Sequence, residues 1–481
     1  MEGIFMMVPM TLEEIAQAVG CKDHAFWGNK IKITAISTDS RPQPEDGDKE
    51  GCLFVALRGE NFDGHQYTGS ALRNKASYAL VDEKGAEEYC SEIPKEKLIV
   101  CKDTEQGFLD LAGYYRNKFQ FRMVGITGSV GKTTTKEMIA QVLSSEYETL
   151  KTQGNFNNRV GLPKTLFRLD ETVQAAVLEM GMNSFGEISD LTRRAKPDLA
   201  VITNIGVAHI EYLGSREGIL KAKMEIIEGM KKGSPLILNY DDDMLSALNC
   251  PDMKIVSYGL EHPNCDVQGK DVQEGENETC FTIVYRGEEY PAKIPTIGRH
   301  NVLNALAAFA VGREFEIAPQ TIVKALTGYK PSGMRQKVVE RNGIRVVEDC
   351  YNAGPDSMKA AIKAFGSMKR PAKGASRKIF VMGDMLELGE YSQQAHYEAG
   401  QYAAREDIDI IFCYGAESLA ASQGAREACS GKNEKDIRYF TDKEEMTLSL
   451  LSLVRKGDIL WFKASRGMKL EEVLSRLYER F

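Results

Sequence analysis

The stretch from Arg122 to Thr135, RMVGITGSVGKTTT, constrains this chain more than any other. A strand-like run from Met123 to Ile126 breaks into a Gly/Ser/Thr turn and then enters a helix-like run from Lys136 to Glu146. Such a turn aims backbone N–H groups and a helix N-terminus at one point, which suits a polyphosphate. Lys132 can reach the outer phosphates, and the Thr133 hydroxyl can ligate the Mg2+ that travels with them. The full phosphate-loop pattern asks for Gly where this chain has Ile126, so the core of the motif is Gly128, Gly131, Lys132 and Thr133. With Ser129, Val130 and Thr134 these residues form the phosphate-binding set. The competing reading, a glycine-rich turn before an ordinary helix, is the less favoured one.

The chain's 481 residues are too many for one core and predict about three domains. A hydrophobic content of 43% with 27% charged residues is that of an ordinary globular protein. The net charge of -8 and the lack of Lys/Arg runs argue against nucleic acid as the main partner, so an anionic substrate must be met by local positive sites. No run approaches the roughly 18 to 20 apolar residues of a membrane span, and MEGIFMMVPM lacks the basic region of a signal peptide. The ten cysteines include no C-x-x-C pair and read as thiols in a reducing cytoplasm.

Before the phosphate loop, STDSR (Ser37 to Arg41) and GCLFVALRGENFDGHQY (Gly51 to Tyr67) place hydroxyls, an arginine and a DGH turn where they could serve a sugar or diphosphate; two polar turns beside a strand are the plain alternative. A helix-like run, Thr104 to Phe119, leads into the loop. After it, strand-like runs at Ala175 to Glu179, Leu199 to Thr203 and Leu236 to Asn239 alternate with helix-like runs, which predicts a mostly parallel sheet covered on both faces. Ligands gather at the carboxyl ends of such strands. There Glu179 could hold Mg2+, whereas His209, in TNIGVAHIEYLGS, is by default a structural hydrogen-bonder and Lys223 a solvated helix lysine. Asn155, Asn157 and Asn158 can line a loop near the phosphates.

VSYGL, CFTIVYRG and EYPAKI, within Tyr258 to Ala292 and its approach, read as edge hairpins. An apolar helix spans Gly298 to Gly312, and Pro and Gly break the pattern at GYKPSGMR, Gly328 to Arg335, where a domain boundary is placed. From Ile344 the strand-helix alternation restarts as a second doubly wound unit. Its first strand ends in Asp349, Tyr351 and Asn352 without G-x-G-x-x-G, which argues against a dinucleotide site.

In order and over nearly the whole chain, TGSVGKTTT, GNFNNRVGLP, LEMGMN, TNIGVAHIEYLGSREGILKAKMEI, GRHNVLNALAA, PSGMR, DCYNAGPDSM, VMGDMLELG and KASRGM resemble the motifs of the Mur ligase family of ATP-dependent amide-bond-forming enzymes. GDMLELG, the Tyr351-Asn352 pair and the DSR plus FVALRGENFDGH stretch resemble the branch that adds D-alanyl-D-alanine to a UDP-N-acetylmuramoyl-tripeptide. Two departures stand out: Gly354 where the family has Asn, and Ala464 where it has Gly.

The resemblance implies an α/β fold of three domains: 1–102 for the UDP end of the substrate, 103–328 as a central phosphate-loop ATPase with a parallel sheet, and 329–481 as a C-terminal Rossmann-like doubly wound domain that closes over both. It implies a cytoplasmic monomer using ATP and Mg2+. Its metal set is Thr133, Glu179, His209 and Lys223, the last as a carbamate. Asn301 is placed at the adenine, Arg335 at the γ-phosphate and Asp349 at the ribose. Substrate candidates are Ser40, Arg41, Asp63, Asn155, Asn158, Tyr351, Asn352, Ser465 and Arg466. The alternatives are the preceding ligase, whose D-N-P-R signature is absent, a folate-type polyglutamate ligase, which has no need of the DSR domain, and a phosphate-loop switch or motor with no carboxylate acceptor.

Overall fold

The computed structural model describes residues 4–41, 51–59, 62–74, 76–208, 210–331, 333–370, 376–429 and 435–481. The chain forms two compact units: Met1–Ile126, Tyr147–Ala200 and Glu225–Ser234 in the first, and Thr127–Glu146, Val201–Met224 and Pro235–Phe481 in the second.

The first unit opens with a five-stranded sheet in the order Ile4–Thr11, Lys32–Ser37, Cys52–Val55, Tyr78–Asp82, Leu98–Cys101. The first pair is antiparallel and the rest are parallel. The inner strands CLFV and YALVD are buried throughout, as strands covered on both faces must be. The helix Thr104–Arg116 follows, its N-terminus capped by the Asp103 carboxylate, which accepts the Gln106 N–H at 2.7 Å. Further on, Thr149–Lys151, Ala175–Glu179 and Arg122–Thr127 lie side by side and parallel, with Glu179 opposite Ile126. Equal register brings these strands to a common carboxyl end, where the sequence placed the ligand.

In the second unit the strand Pro235–Asn239 pairs parallel with Lys254–Gly259, which pairs parallel with Val267–Glu274. VSYGL is therefore not part of an edge hairpin; Val256, Ser257 and Tyr258 are buried between two parallel neighbours. CFTIVYRG and EYPAKI do pair as a hairpin, Thr279–Tyr285 with Glu288–Ile294, around Arg286 and Gly287, both at positive φ as the turn's twist requires. The helix Arg299–Glu314 is buried along Val302, Ala305, Leu306 and Phe309.

The C-terminal sheet has six strands in the order Lys337–Arg341, Ile344–Asp349, Ile459–Lys463, Lys378–Gly383, Ile410–Tyr414, Asp436–Phe440. Only the first pair is antiparallel. Trp461 on the central strand is fully buried and packs on Phe365 and the helix Pro355–Ser367. Lys337–Arg341 escapes prediction because KVVER is a half-exposed edge with no buried face to impose alternation. Among the described residues no helix is long and apolar enough to cross a membrane.

Candidate active site

The strand Arg122–Thr127 runs one residue past Ile126, whose side chain is fully buried. Ile126 stands in place of the pattern's first glycine because the loop begins only at Gly128. Gly128 has φ +148°, and a Cβ there would lie 1.9 Å from Thr203 Oγ1. Gly131 has φ +87° and caps the helix Lys132–Leu143, which starts four residues before the predicted Lys136. A phosphate loop draws its helix start forward in this way, since the first-turn N–H groups must face the ligand.

Thr203 and Asn204 brace the loop from the next strand end. Thr203 Oγ1 donates to the Val130 carbonyl at 2.6 Å, Asn204 Oδ1 accepts the Val130 N–H at 2.9 Å, and Ser129 Oγ accepts the Gly206 N–H at 2.9 Å. Behind them Asp242 accepts the Ile205 N–H at 2.7 Å and Arg216 donates to the Ile205 carbonyl at 2.9 Å. Lys132 Nζ donates to the Gly128 carbonyl at 2.6 Å, tying the ammonium to the loop itself.

Lys223, on the helix Arg216–Met224, is only 2% exposed, so the expectation of a solvated helix lysine is overturned. Burial holds its amine well below the ordinary lysine range, and the Lys132 ammonium depresses it further. A neutral, buried amine is the form that can take up CO2 to give an anionic oxygen donor. His209 lies outside the described residues.

Asn301 is buried near the start of the helix Arg299–Glu314. Arg335 stacks on the Tyr351 ring with its guanidinium carbon 3.6 Å from the centroid, and Arg466 approaches the same ring at 5.4 Å. The structure thus gathers three candidates widely separated in sequence. Asp349 is buried against Lys463 at 3.0 Å; burial raises its pKa and the ammonium opposes that rise. Lys463, which the sequence reading did not select, also donates to the Asn352 carbonyl at 2.9 Å. Ser465 is buried and accepts the Leu386 N–H at 2.9 Å, so it ties strand ends together. Ala464 is buried where a Cβ on Gly383 would meet it at 2.7 Å, so the extra methyl group is accommodated by a glycine opposite. At the other departure, a Cβ on Gly354 would meet nothing within 4 Å.

In the first unit Glu179 is 2% exposed, and its Oε1 accepts from Asn157 Nδ2 at 2.9 Å. Of the three neighbouring asparagines it is Asn157 that reaches this carboxylate. Asn158 instead accepts the Gly161 N–H at 2.8 Å at the start of a helix, and Asn155 is exposed. Arg41 pairs with Asp39 at 2.7 Å, and Ser40 lies between them in the chain. Asp63 accepts from the His65 N–H and from His65 Nδ1, and also pairs with Arg58. Threonine hydroxyl and buried carboxylate are hard oxygen donors of the class Mg2+ takes, so Thr133 and Glu179 each suit that ion by their chemistry.

Family models match residues 126–312 as a Mur ligase middle domain and residues 334–466 as a Mur ligase, glutamate ligase domain. The chain is 40% identical over 479 residues to the UDP-N-acetylmuramoyl-tripeptide--D-alanyl-D-alanine ligase of Bacillus subtilis, covering 98% of this chain and 99% of that one. This chain belongs to the Mur ligase family. The Mur ligase is also 32% identical to the enzyme of the same name from Escherichia coli over 98% of its length, covering 99% of that chain. Its fold matches a crystal structure of MurF from Acinetobacter baumannii with a TM-score of 0.86 at 30% identity, covering 98% of this chain and 99% of that one. It also matches MurF ligase from Thermotoga maritima in complex with ADP, with a TM-score of 0.80 at 29% identity, covering 92% and 97%.

In this Mur ligase the contact between Gly128 and Thr203 gives a direct prediction. Gly128→Ala forces Thr203 away from the Val130 carbonyl, so kcat/KM for ATP should fall roughly tenfold to a hundredfold, the scale of a displaced positioning contact. Steady-state kinetics with ATP varied will measure it; unchanged kinetics would mean that the loop tolerates a side chain.

Proposed function

We propose that this Mur ligase joins D-alanyl-D-alanine to a UDP-N-acetylmuramoyl-tripeptide with ATP, a step of cytoplasmic peptidoglycan precursor synthesis. The observation that carries the reading is the braced phosphate loop with the buried Lys223, which feels the Lys132 charge, in one compact unit. The tripeptide's terminal carboxylate attacks the γ-phosphate of ATP, giving an acyl phosphate and ADP. The dipeptide amine then attacks the acyl carbon, an amide bond forms and inorganic phosphate leaves.

An anion attacking a triphosphate must overcome like-charge repulsion, and catalysis is chiefly preorganised positive charge. Lys132 supplies one such charge, and the N–H groups of Gly128 to Thr134 supply partial ones. Mg2+, when bound, would neutralise phosphate charge; Thr133, Glu179, His209 and a carbamylated Lys223 are the residues that would hold it. Arg335 meets the γ-phosphate, Asp349 the ribose and Asn301 the adenine. Tyr351, Asn352, Ser465 and Arg466 serve the peptide end, with Asn155 and Asn158 also on the substrate. Ser40, Arg41 and Asp63 serve the UDP end. The domains run 1–102, 103–328 and 329–481; the start of the second family match at residue 334 supports the last boundary.

ADP release with and without both substrates tests the reading. Release should depend on UDP-N-acetylmuramoyl-tripeptide together with D-alanyl-D-alanine. A phosphate-loop switch would hydrolyse ATP without either. Efficient coupling of D-alanine, L-alanine, L-lysine or meso-diaminopimelate to matching precursors, with no coupling of the dipeptide, would sink the branch while sparing the family.

A further inference from the structure

Gln336 is the last residue before the first strand of the C-terminal sheet, Lys337–Arg341, and directly follows Arg335. Its backbone sits at φ +53°, a left-handed conformation uncommon for a non-glycine residue. Gln336 Oε1 accepts from Asn301 Nδ2 at 2.7 Å, and Gln336 Nε2 lies 2.8 Å from His300 Nε2. The amide nitrogen can only donate, so His300 Nε2 carries the lone pair and the imidazole is neutral. Burial and the nearby Lys463 ammonium lower the pKa of His300 to about 4, in keeping with that state.

The chain of bonds continues inward. Asn301 Oδ1 accepts from Asn304 Nδ2 at 3.1 Å, and Asn304 Oδ1 accepts from the Thr135 hydroxyl at 3.0 Å. Thr135 lies in the first turn of the phosphate-loop helix, and the same Asn304 oxygen lies 2.9 Å from where a Cβ on Gly131 would stand. Asn301 and Asn304 are 3% and 7% exposed, so their amides must find partners inside the protein; Asn301 Nδ2 also donates to the Ile297 carbonyl at 2.7 Å, and these bonds together leave little freedom in its orientation. An unbroken path of side-chain hydrogen bonds thus runs from the phosphate-loop helix to the residue next to Arg335. Arg335 stacks on the Tyr351 ring, and its charge is felt by the Asp349 carboxylate.

We propose that Gln336 is a positioning residue that pins the linker to the helix Arg299–Glu314 and so fixes Arg335 relative to the phosphate loop. The proposal rests on the reading that Arg335 serves phosphoryl transfer. Gln336 touches no reacting atom in this scheme and acts through its neighbour.

The test is a double-mutant cycle on the full-length enzyme, measuring kcat, KM for ATP and Tm for Gln336→Ala, Gln336→Glu, Arg335→Ala and the Arg335→Ala/Gln336→Ala pair. Gln336→Ala should lower kcat between about tenfold and a hundredfold, the scale set by misplacing a catalytic group, with KM for ATP within about twofold and a fall in Tm too small to unfold the enzyme at the assay temperature. The double variant should be no slower than Arg335→Ala alone, because a positioning residue has nothing left to position. Gln336→Glu keeps the acceptor for Asn301 but sets a carboxylate against the lone pair of His300. Its kcat relative to wild type should therefore recover as pH falls and His300 gains a proton, a profile that a merely structural role would not produce. Wild-type kcat in Gln336→Ala, multiplicative losses in the double variant, or a loss of kcat that tracks a fall in Tm would overturn the proposal. A fully active Arg335→Ala would overturn the Arg335 reading and this inference with it.

Discussion

Lys132→Ala should lower ligation turnover by roughly 100-fold to 1000-fold, the cost of removing one preorganised charge contact from a developing anion. The ammonium sits on the loop whose carbonyls it binds, 2.6 Å from the Gly128 oxygen, and Lys223 on the neighbouring helix feels its charge. Loss of the side chain removes its bond to the Gly128 carbonyl but leaves the positive-φ glycines Gly128 and Gly131 and the bonds from Thr203 and Asn204 to Val130 to hold the loop's shape. Circular dichroism and Tm should therefore match the wild type while ADP release collapses. A variant retaining more than half the wild-type rate would remove the phosphate-loop reading.

Lys223→Ala should be slower than wild type by on the order of a hundredfold and should be partly rescued by added short-chain carboxylates, which supply the lost anionic oxygen. If Lys223 is the proposed carbamate, its neutral amine attacks CO2, an N–C bond forms as one C–O π bond opens, and the nitrogen's proton goes to solvent, leaving an anionic carbamate. Burial at 2% exposure and the Lys132 charge favour the neutral amine that this step needs. Labelled bicarbonate should give a carbamate signal that the alanine variant lacks.

The same shift has a thermodynamic sign. With its pKa lowered on folding, the unmodified Lys223 binds fewer protons in the folded than in the unfolded chain. Stability therefore rises with pH between the lowered value and the ordinary lysine value, and the contribution is fully restored above the latter. Urea titrations in CO2-depleted buffer should show that slope in the wild type and a flatter one in Lys223→Ala. Full activity in the alanine variant would end the carbamate role.

Local chemistry made much of this protein legible in its sequence. Gly128, Gly131, Lys132 and Thr133 have few other uses at that spacing, and the turn before the helix fixed the loop. The strand Ala175–Glu179 is found where the sequence places it, because a run that short suits a strand and not a helix, which decides where periodicity alone cannot. The half-exposed edge strand Lys337–Arg341 and the polar strand Val267–Glu274 carry weak patterns, because their neighbours in the sheet, not their own apolar residues, hold them in place.

What only the tertiary structure decided is which polar residues meet. Three asparagines in one turn look alike in sequence, and only the folded loop sends Asn157 rather than Asn155 or Asn158 to Glu179. A lysine in a charged helix reads as solvated, until packing of the helix Arg216–Met224 buries Lys223. Gln336 gave no signal at all, because its partners His300 and Asn301 lie more than thirty residues away and a hydrogen bond depends on distance in space. Sequence thus determined the groups that bind phosphate, whose spacing is local. Burial and long-range contact, which set protonation and orientation, came only with the fold.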